Sequence, residues 1–323
     1  MTTPLISIIV VGYKMKQQLH NTLCSLKSTY QRNVDPDDYE VIVVENSSDD
    51  NFAPTDVSKE YGSNFRYFLR QETSQSPVPA VNFAFEQCQG QYIGLIIDGA
   101  RMLSPGVIHY VKMATQVSVN SIVAVPGYHI GESEHHLTEP GYSVEFEQNL
   151  LKQAEWQENG YRLFKVSTFS GANARGYLQP MMECNCIFAS KINFDTIGRA
   201  DTRFTLRGGG SINLHIYRSL INIPDTQFFV LPGEGSFHQY HGGVTTSHST
   251  DREKELASFN SQLKSIWGNS GTIRRNPIML GSIDANALNF LEQSAHTAQK
   301  RAARLGDDSQ ILWPDDYHQI TSE

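Results

Sequence analysis

Apolar runs and helical spacings alternate along the first part of the chain. Residues 5–13, Leu-Ile-Ser-Ile-Ile-Val-Val-Gly-Tyr, have no helical period and break at Gly12. Such a run reads as a strand buried on both faces. Residues 14–28 carry Leu19, Leu23 and Leu26 at helical spacing, and a polar loop over 29–38 has Asp35-Pro36 as turn punctuation. Residues 39–44 and 65–69 read as the next strands, and 45–50 as a loop with helix-capping chemistry. Residues 77–88 predict a helix with Val81, Ala84, Phe85 and Cys88 on one face. Residues 92–97 are apolar throughout and stop on Asp98-Gly99. The order β-α-β-(α)-β-α-β predicts a mostly parallel sheet with helices on its faces.

Beyond Pro105 the pattern predicts a helix over 107–119 and a strand over 121–125. Residues 126–170 are less regular, with a helix expected over 145–159. A strand is expected over 182–188, then three glycines at 208–210 before a helix starting near Ser211, and a strand over 228–231. Helical spacing returns over 253–267 and 283–305, and the polar last fifteen or so residues read as a poorly fixed tail. The expected organisation is one α/β domain over 1–250 and a helical C-terminal extension with its tail over 251–323.

Composition narrows the function. With 323 residues, 39% hydrophobic and 19% charged, the chain can bury a substantial core. A net charge of −8 supplies no basic field for a nucleic-acid backbone. Cys24, Cys88, Cys184 and Cys186 form no CxxC pair and read as reduced, buried thiols, although Cys184 and Cys186 share a face and could sit close. The N-terminal residues show no signal-like segment, and no apolar run reaches membrane-spanning length. The expectation is a cytoplasmic protein, with attachment to the inner face of a membrane through a partner left open.

In a parallel sheet, the carboxyl ends of the strands line one crevice. Here those ends carry Gly12-Tyr13, Glu45-Asn46 and Asp98-Gly99. The first turn has neither GxGxxG nor GxxxxGK[ST], which disfavours the common dinucleotide and nucleoside-triphosphatase modes. Arg70, Arg101, Arg203 and Arg207 are candidates to neutralise an anionic ligand, Arg101 nearest the crevice. Late in the chain, Glu234, His238 and His241 lie among glycines in Gly233-Glu-Gly-Ser-Phe-His-Gln-Tyr-His-Gly-Gly243. The His-x-x-His spacing suits one metal ion, or one metal contact and one substrate contact; His248 follows in a polar loop.

Together these residues resemble the family-2 glycosyltransferases of the GT-A fold, over roughly residues 5–245. The likeness rests on Gly12-Tyr13, on Glu45 followed by Asn-Ser-Ser-Asp-Asp, on Ala80-Val81-Asn82, and on Gly90-Gln-Tyr-Ile-Gly-Leu-Ile-Ile-Asp98 with Pro105 beyond. It implies a Rossmann-like, mostly parallel mixed sheet flanked by helices. It implies an inverting transfer of a sugar from a nucleotide-sugar donor, UDP- or GDP-linked, to a saccharide or other hydroxyl acceptor, with Mn2+ or Mg2+ as the expected cofactor. The residues after 208 are similar to a bacterial subgroup associated with surface polysaccharides. On this likeness Gly12, Tyr13, Glu45, Asn82, Asp98, Gly99, Ala100 and Arg101 would bind donor, and Asp98 would share a metal with His238 or His241.

The sequence departs from the family at three places. The DxD motif is Asp98-Gly99-Ala100, so its second metal-binding acid is absent. The basic residue before the helix asparagine is Val81. The acidic pair after the glycines is replaced by Ser211-Ile212-Asn213, which removes the usual general base. Glu234 and Glu183 are the candidate bases in its place. Two further readings stay open: a non-catalytic binding or scaffold protein, and, ranked last, a nucleotidyltransferase. A homodimer is compatible with the sequence.

Overall fold

The computed structural model describes residues 3–131, 141–179, 181, 183–241, 252–268 and 277–305. The expected β/α alternation is present as β1 (Ile6–Gly12), α1 (Lys16–Ser25), β2 (Tyr39–Asn46), α2 (Pro54–Tyr61), β3 (Phe65–Arg70), α3 (Val78–Gln87) and β4 (Tyr92–Ile96). These four strands are parallel neighbours in the order β4-β1-β2-β3. Their side chains alternate between two cores. Ile9, Val11, Ile42, Val44, Ile93 and Leu95 face the core shared with α3, while Ile8, Val10, Val41, Val43 and Ile96 face the one shared with α1. A strand buried on both faces has no polar alternation, which is the run seen in the sequence.

The sheet continues past β4. β5 (Arg101–Leu103) and α4 (Val107–Val117) lead to β6 (Ser121–Ala124) and β7 (Gly127–Ile130). α5 (Val144–Ala154), β8 (Ser167–Phe169), β9 (Cys186–Ser190), α6 (Lys191–Thr196), α7 (Ile212–Ile221), β10 (Gln227–Val230) and β11 (Ser236–His238) follow. The chain ends with α8 (Arg252–Trp267), β12 (Ile278–Met279) and α9 (Leu288–Leu305). The large sheet runs β12-β10-β6-β9-β4-β1-β2-β3. β9 lies antiparallel to both β4 and β6, and the other pairs are parallel. Gly94 of β4 is what lets β9 lie close. A Cβ there would stand 2.2 Å from the Phe188 ring, its cross-strand partner.

A second sheet, in the order β5-β11-β7-β8, sits beyond the carboxyl end of β4. Its strands have three or four residues each, too short to leave a periodic signal, and the sequence pattern marks none of them. Other boundaries shift for local reasons. Lys14 has a left-handed φ of 52°, so α1 starts after it. The strand expected over 182–188 begins at Cys186, and Met182 lies outside the described residues. Asp284 caps a short 3-10 turn ahead of α9, which starts at Leu288 rather than 283. The tail after residue 305, His248 and the pair Gly242-Gly243 also lie outside the described residues.

The C-terminal extension is packed into the domain instead of beside it. β12 pairs with β10 as the edge strand of the large sheet. Phe290 of α9 is 1% exposed and packs its ring against Tyr128 and Phe169 at 4.8 Å each. A boundary at residue 250 therefore does not divide the core. All four cysteines are free; Cys184 Sγ donates to the Val125 and Cys186 carbonyls, and Cys184 and Cys186 belong to different cores instead of sharing a face. Because Phe290 belongs to the shared core, Phe290→Ala is expected to destabilise the whole domain by about 3–5 kcal/mol. Urea unfolding should show one transition at lower denaturant, and an unchanged main transition would separate the extension from the domain.

Candidate active site

β1 is the point at which the sheet order reverses. From it the chain builds β2 and β3 to one side and β4 to the other. Open α/β sheets bind ligands outside the strand ends at such a switch. Asp98 stands there, two residues past β4. Gly99 donates its N–H to the Val11 carbonyl at 2.7 Å, and a Cβ on Gly99 would lie 2.8 Å from that oxygen. Glycine is thus required for the Asp98 turn to lie against β1.

The small sheet brings the late histidines to this turn. Its register sets His238 opposite Arg101 on β5 and opposite His129 on β7. Asp98 Oδ1 accepts the Ala100 N–H at 3.1 Å, a local turn bond that leaves Oδ2 for the histidines. His238 Nε2 lies 2.9 Å from Oδ2 and His241 Nε2 3.5 Å from it. The two Nε2 atoms are 3.1 Å apart. Behind them, His238 Nδ1 is 3.2 Å from His129 Nδ1. Asp98, His238 and His241 form a group whose ligand atoms all lie within 4.8 Å of one another.

The turn carrying His241 is clamped from α1. Gln239 is fully buried; its carbonyl oxygen accepts from Asn21 Nδ2 at 2.8 Å and its amide donates to the Gln18 carbonyl at 2.9 Å. Its backbone N–H donates to the Ala100 carbonyl at 2.8 Å, which ties the histidine turn to the Asp98 turn. Gln18 Nε2 donates to the Tyr240 carbonyl at 2.8 Å. From the opposite side, Glu147 of α5 accepts the Tyr240 N–H at 2.7 Å.

Charge is distributed unevenly over the group. Burial alone would raise the Asp98 carboxyl, but the charges of His241 and His238 and their hydrogen bonds hold it well below the usual range. Burial, with the Arg101 charge beside it, pushes His238 down to about 3 despite Asp98. Burial also opposes the charged form of His241, yet Asp98 wins and raises it. His238 is therefore held toward its neutral form, and His241 is favoured toward its charged form by Asp98. Arg101 is 6% exposed, with Nε 3.9 Å from Asp98 Oδ2, and its Nε and Nη1 have no hydrogen-bond partner among the described residues. One carboxylate and two imidazoles, convergent and ending in a 21%-exposed Asp98, fit a divalent ion. The two nitrogen donors make Mg2+, which prefers oxygen, a poorer match than a transition ion such as Mn2+.

The other expected residues are placed differently. Tyr13 is half exposed beside Gly12 at the end of β1. Glu45 is fully buried, and its Oε2 accepts from the Phe52 N–H at 3.1 Å and the Tyr67 hydroxyl at 2.7 Å, so it braces the loop after β2 from within. Asn82 is committed to Ala200, donating to its carbonyl at 2.8 Å and accepting its N–H at 3.2 Å; it latches α3 to the loop after α6. Ala100 is buried and contributes only backbone to the turn. Arg70 pairs with Glu72, Arg203 with Asp201 and Arg207 with Glu255, leaving Arg101 as the arginine of those four beside Asp98.

Of the two candidate bases, Glu234 is a structural carboxylate. It is 1% exposed and accepts from the Ser104 hydroxyl, the Tyr161 hydroxyl at 2.7 Å and the Gly106 N–H at 3.0 Å. It also precedes His238 by four residues along extended chain, about 13 Å away at the other end of the β5–β11 ladder. Glu183 is only half-buried. It comes just before β9, beyond the Ile96–Cys186 pair in the direction of Asp98. Asn185 Nδ2 donates to Glu183 Oε1 at 3.2 Å, and Asn213, at the start of α7, donates in turn to Asn185. His129 and Glu147 carry no motif, and Gln239 lies inside the 233–243 segment without having been given a role. Glu147 alone left a trace, as a charge on the helix face that also holds Leu151 and Ala154.

Two pH effects follow. Burial raises Glu234 from 4.5 to about 7, against the donors around it. Its contribution is fully present below the unfolded value and lost as pH rises through the folded one. The stability of the wild type relative to Glu234→Gln should therefore fall by on the order of 3 kcal/mol between acid and slightly alkaline pH. His241 is raised by Asp98, so that ion pair stabilises most below about pH 6.5 and fades as pH rises through the folded value. In EDTA, the stability gap between wild type and Asp98→Asn should shrink with rising pH, as read by denaturant unfolding.

Residues 7–98 match the family model described as Glycosyl transferase family 2, a match that ends on Asp98. Among solved structures, S. aureus TarS aligns with a TM-score of 0.50 at 12% identity, over 93% of this chain and 42% of that chain. TarS 1-349 in complex with UDP aligns with a TM-score of 0.50 at 10% identity, over 92% of this chain and 72% of that chain. The chain thus spans 42% of the length of the longer TarS chain. Comparison with curated proteins by sequence gives no match. At this identity the likeness is one of fold, and the fold is GT-A: a mostly parallel mixed sheet flanked by helices, with a helical C-terminus.

Proposed function

We propose that the protein is a nucleotide-sugar-dependent glycosyltransferase that works by inversion. The observation that carries this reading is the convergence of Asp98, His238 and His241 at the sheet's switch point. A UDP complex is known for TarS 1-349, which has the same fold, and this supports a nucleoside diphosphate as the leaving group. The nucleoside would lie along the ends of β1 and β2, with the exposed Tyr13 ring beside it. Asp98, His238 and His241 would hold a divalent ion; bound there, it would supply positive charge to the departing diphosphate. Arg101, buried with two nitrogens unpartnered among the described residues, would add a fixed charge at the same place.

Glu183 is our candidate for the general base. It would take the proton of an acceptor hydroxyl, whose oxygen would attack the anomeric carbon as the bond to the diphosphate breaks. The Asn213–Asn185–Glu183 chain would aim that carboxylate from the α7 terminus, where the family has its acids. A saccharide of a surface polysaccharide or glycan suits such an acceptor site. Among the described residues no helix is long and apolar enough to cross a membrane.

One observation favours a second reading, a nucleotide-sugar-binding protein without turnover. Ala100 and Ile212 stand where the family has acids, and both side chains are buried. Purified protein incubated with UDP- and GDP-sugars, Mn2+ and hydroxyl acceptors separates the two. The enzyme reading expects donor cleavage that Asp98→Ala abolishes. It expects Glu183→Gln to lower kcat by about 10²–10⁴-fold with donor KM little changed. Donor binding without cleavage under every acceptor and metal tried would favour the second.

A further inference from the structure

Glu147 is a fully buried carboxylate that no motif explains. It lies on the core face of α5 with Leu151 and Ala154. Its Oε2 is occupied: it accepts the Tyr240 N–H at 2.7 Å and the Tyr142 hydroxyl at 3.3 Å. Tyr142 also donates to the Ile130 carbonyl at the end of β7, and its ring packs against Tyr240 at 5.3 Å. The second oxygen, Oε1, is sealed from solvent and has no hydrogen-bond partner among the described residues. Leaving a buried carboxylate oxygen unpaired costs about 1–3 kcal/mol or more, so this oxygen calls for an explanation.

The peptide that Glu147 grips is the one leading into His241. Gln18 holds its neighbour on the other side, through the Tyr240 carbonyl at 2.8 Å. Burial raises the Glu147 carboxyl from 4.5 to about 8, against the Tyr240 and Tyr142 donors and the His241 charge, and Glu147 in turn favours the charged His241 imidazole, so a cation arriving at that ring would draw the carboxyl toward its ionised form. In the described structure the His241 Nε2 edge is turned to Asp98 and His238, which leaves Nδ1 on the other side of the ring. Metal-binding imidazoles almost always donate their second N–H to a carboxylate, a carbonyl or water, which fixes ring and tautomer. His238 has His129 in that position, at 3.2 Å from Nδ1.

We propose that Glu147 is the positioning carboxylate of His241: it fixes the Tyr240 peptide through Oε2 and offers Oε1 to the His241 Nδ1–H when Nε2 takes a divalent cation. The proposal rests on the cation-binding reading of the Asp98 group given above. It goes beyond that reading by assigning a residue outside the strand-end crevice, supplied by α5. The two imidazoles then have unlike supports, a histidine behind His238 and a carboxylate behind His241. The carboxylate-backed ring is the more basic ligand of the two.

The test is Mn2+ binding by calorimetry in the absence of nucleotide, on the full chain and on Glu147→Gln. Glutamine keeps the shape and an acceptor for the Tyr240 N–H but removes the charge. The expected result is Mn2+ affinity weakened by about 10–100-fold, with the affinity of the folded, metal-free protein for UDP in EDTA unchanged. Should Glu147→Gln fail to fold, Glu147→Asp, which withdraws the charge by one methylene, is expected to show the same weakening. Mn2+ affinity equal to the wild type in the folded variant overturns the role of Glu147 and leaves the cation site standing. A wild type that binds Mn2+ no better than Asp98→Ala overturns the cation site and the role of Glu147 together.

Discussion

The crevice depends on a stretch of backbone pairing three residues long. β5 leaves the Asp98 turn and is met by β11, antiparallel, with Arg101 opposite His238. A slip of one residue would turn His238 to the other face of the small sheet and leave Asp98 without a partner. Nothing in three residues of ladder can hold such a register alone. It is held by what flanks it. At one end Glu234 collects the donors of the Ser104–Gly106 turn, and at the other Gln239 ties the Ala100 carbonyl to α1. The buried carboxylate and the buried amide stand at opposite ends of the same ladder and fix its register.

That arrangement explains why part of the architecture was legible in the sequence and part was not. β1 through β4 are buried on both faces, so their apolar runs and the acid that ends the last of them stand out. The small sheet has strands too short for any period, and the crevice is assembled by it. The proximity of Asp98 to the two histidines could be anticipated only from the family resemblance, because about 140 residues separate them and no local pattern connects them. Glu234 shows the opposite failure. A glutamate among glycines and histidines looks like chemistry, but its neighbours in space are hydroxyl and amide donors that consume both of its oxygens. Sequence proximity to His238 was misleading because extended chain carries a side chain about 3.3 Å further with each residue.

Glu45 and Asn82 are engaged by the fold in a related way. Each sits at a motif position, and each is used by the fold: Glu45 to close the loop after β2, Asn82 to latch α3 to Ala200. A motif fixes residue type and spacing, but the same hydrogen-bonding capacity serves a ligand or a backbone equally well. Only burial and partners tell them apart. By that criterion Asp98, with one oxygen committed to its own turn and the other shared by two imidazoles, stands apart from the carboxylates that the fold uses internally.

The loss of the second DxD acid then has a physical consequence for the charge of the site. An aspartate in place of Ala100 would bring a second anion close to Asp98 and demand a cation to offset it. With alanine there, the nearby fixed charge is Arg101, 3.9 Å from Asp98 and short of hydrogen-bond partners. Asp98 raises the His241 imidazole toward its charged form, which offsets the carboxylate, whereas two carboxylates at close range would repel. In this structure two imidazoles, not a second acid, face Asp98, and each ring is held by neighbours of its own: His129 stands behind His238, and Glu147 and Gln18 hold the peptide groups of Tyr240 beside His241.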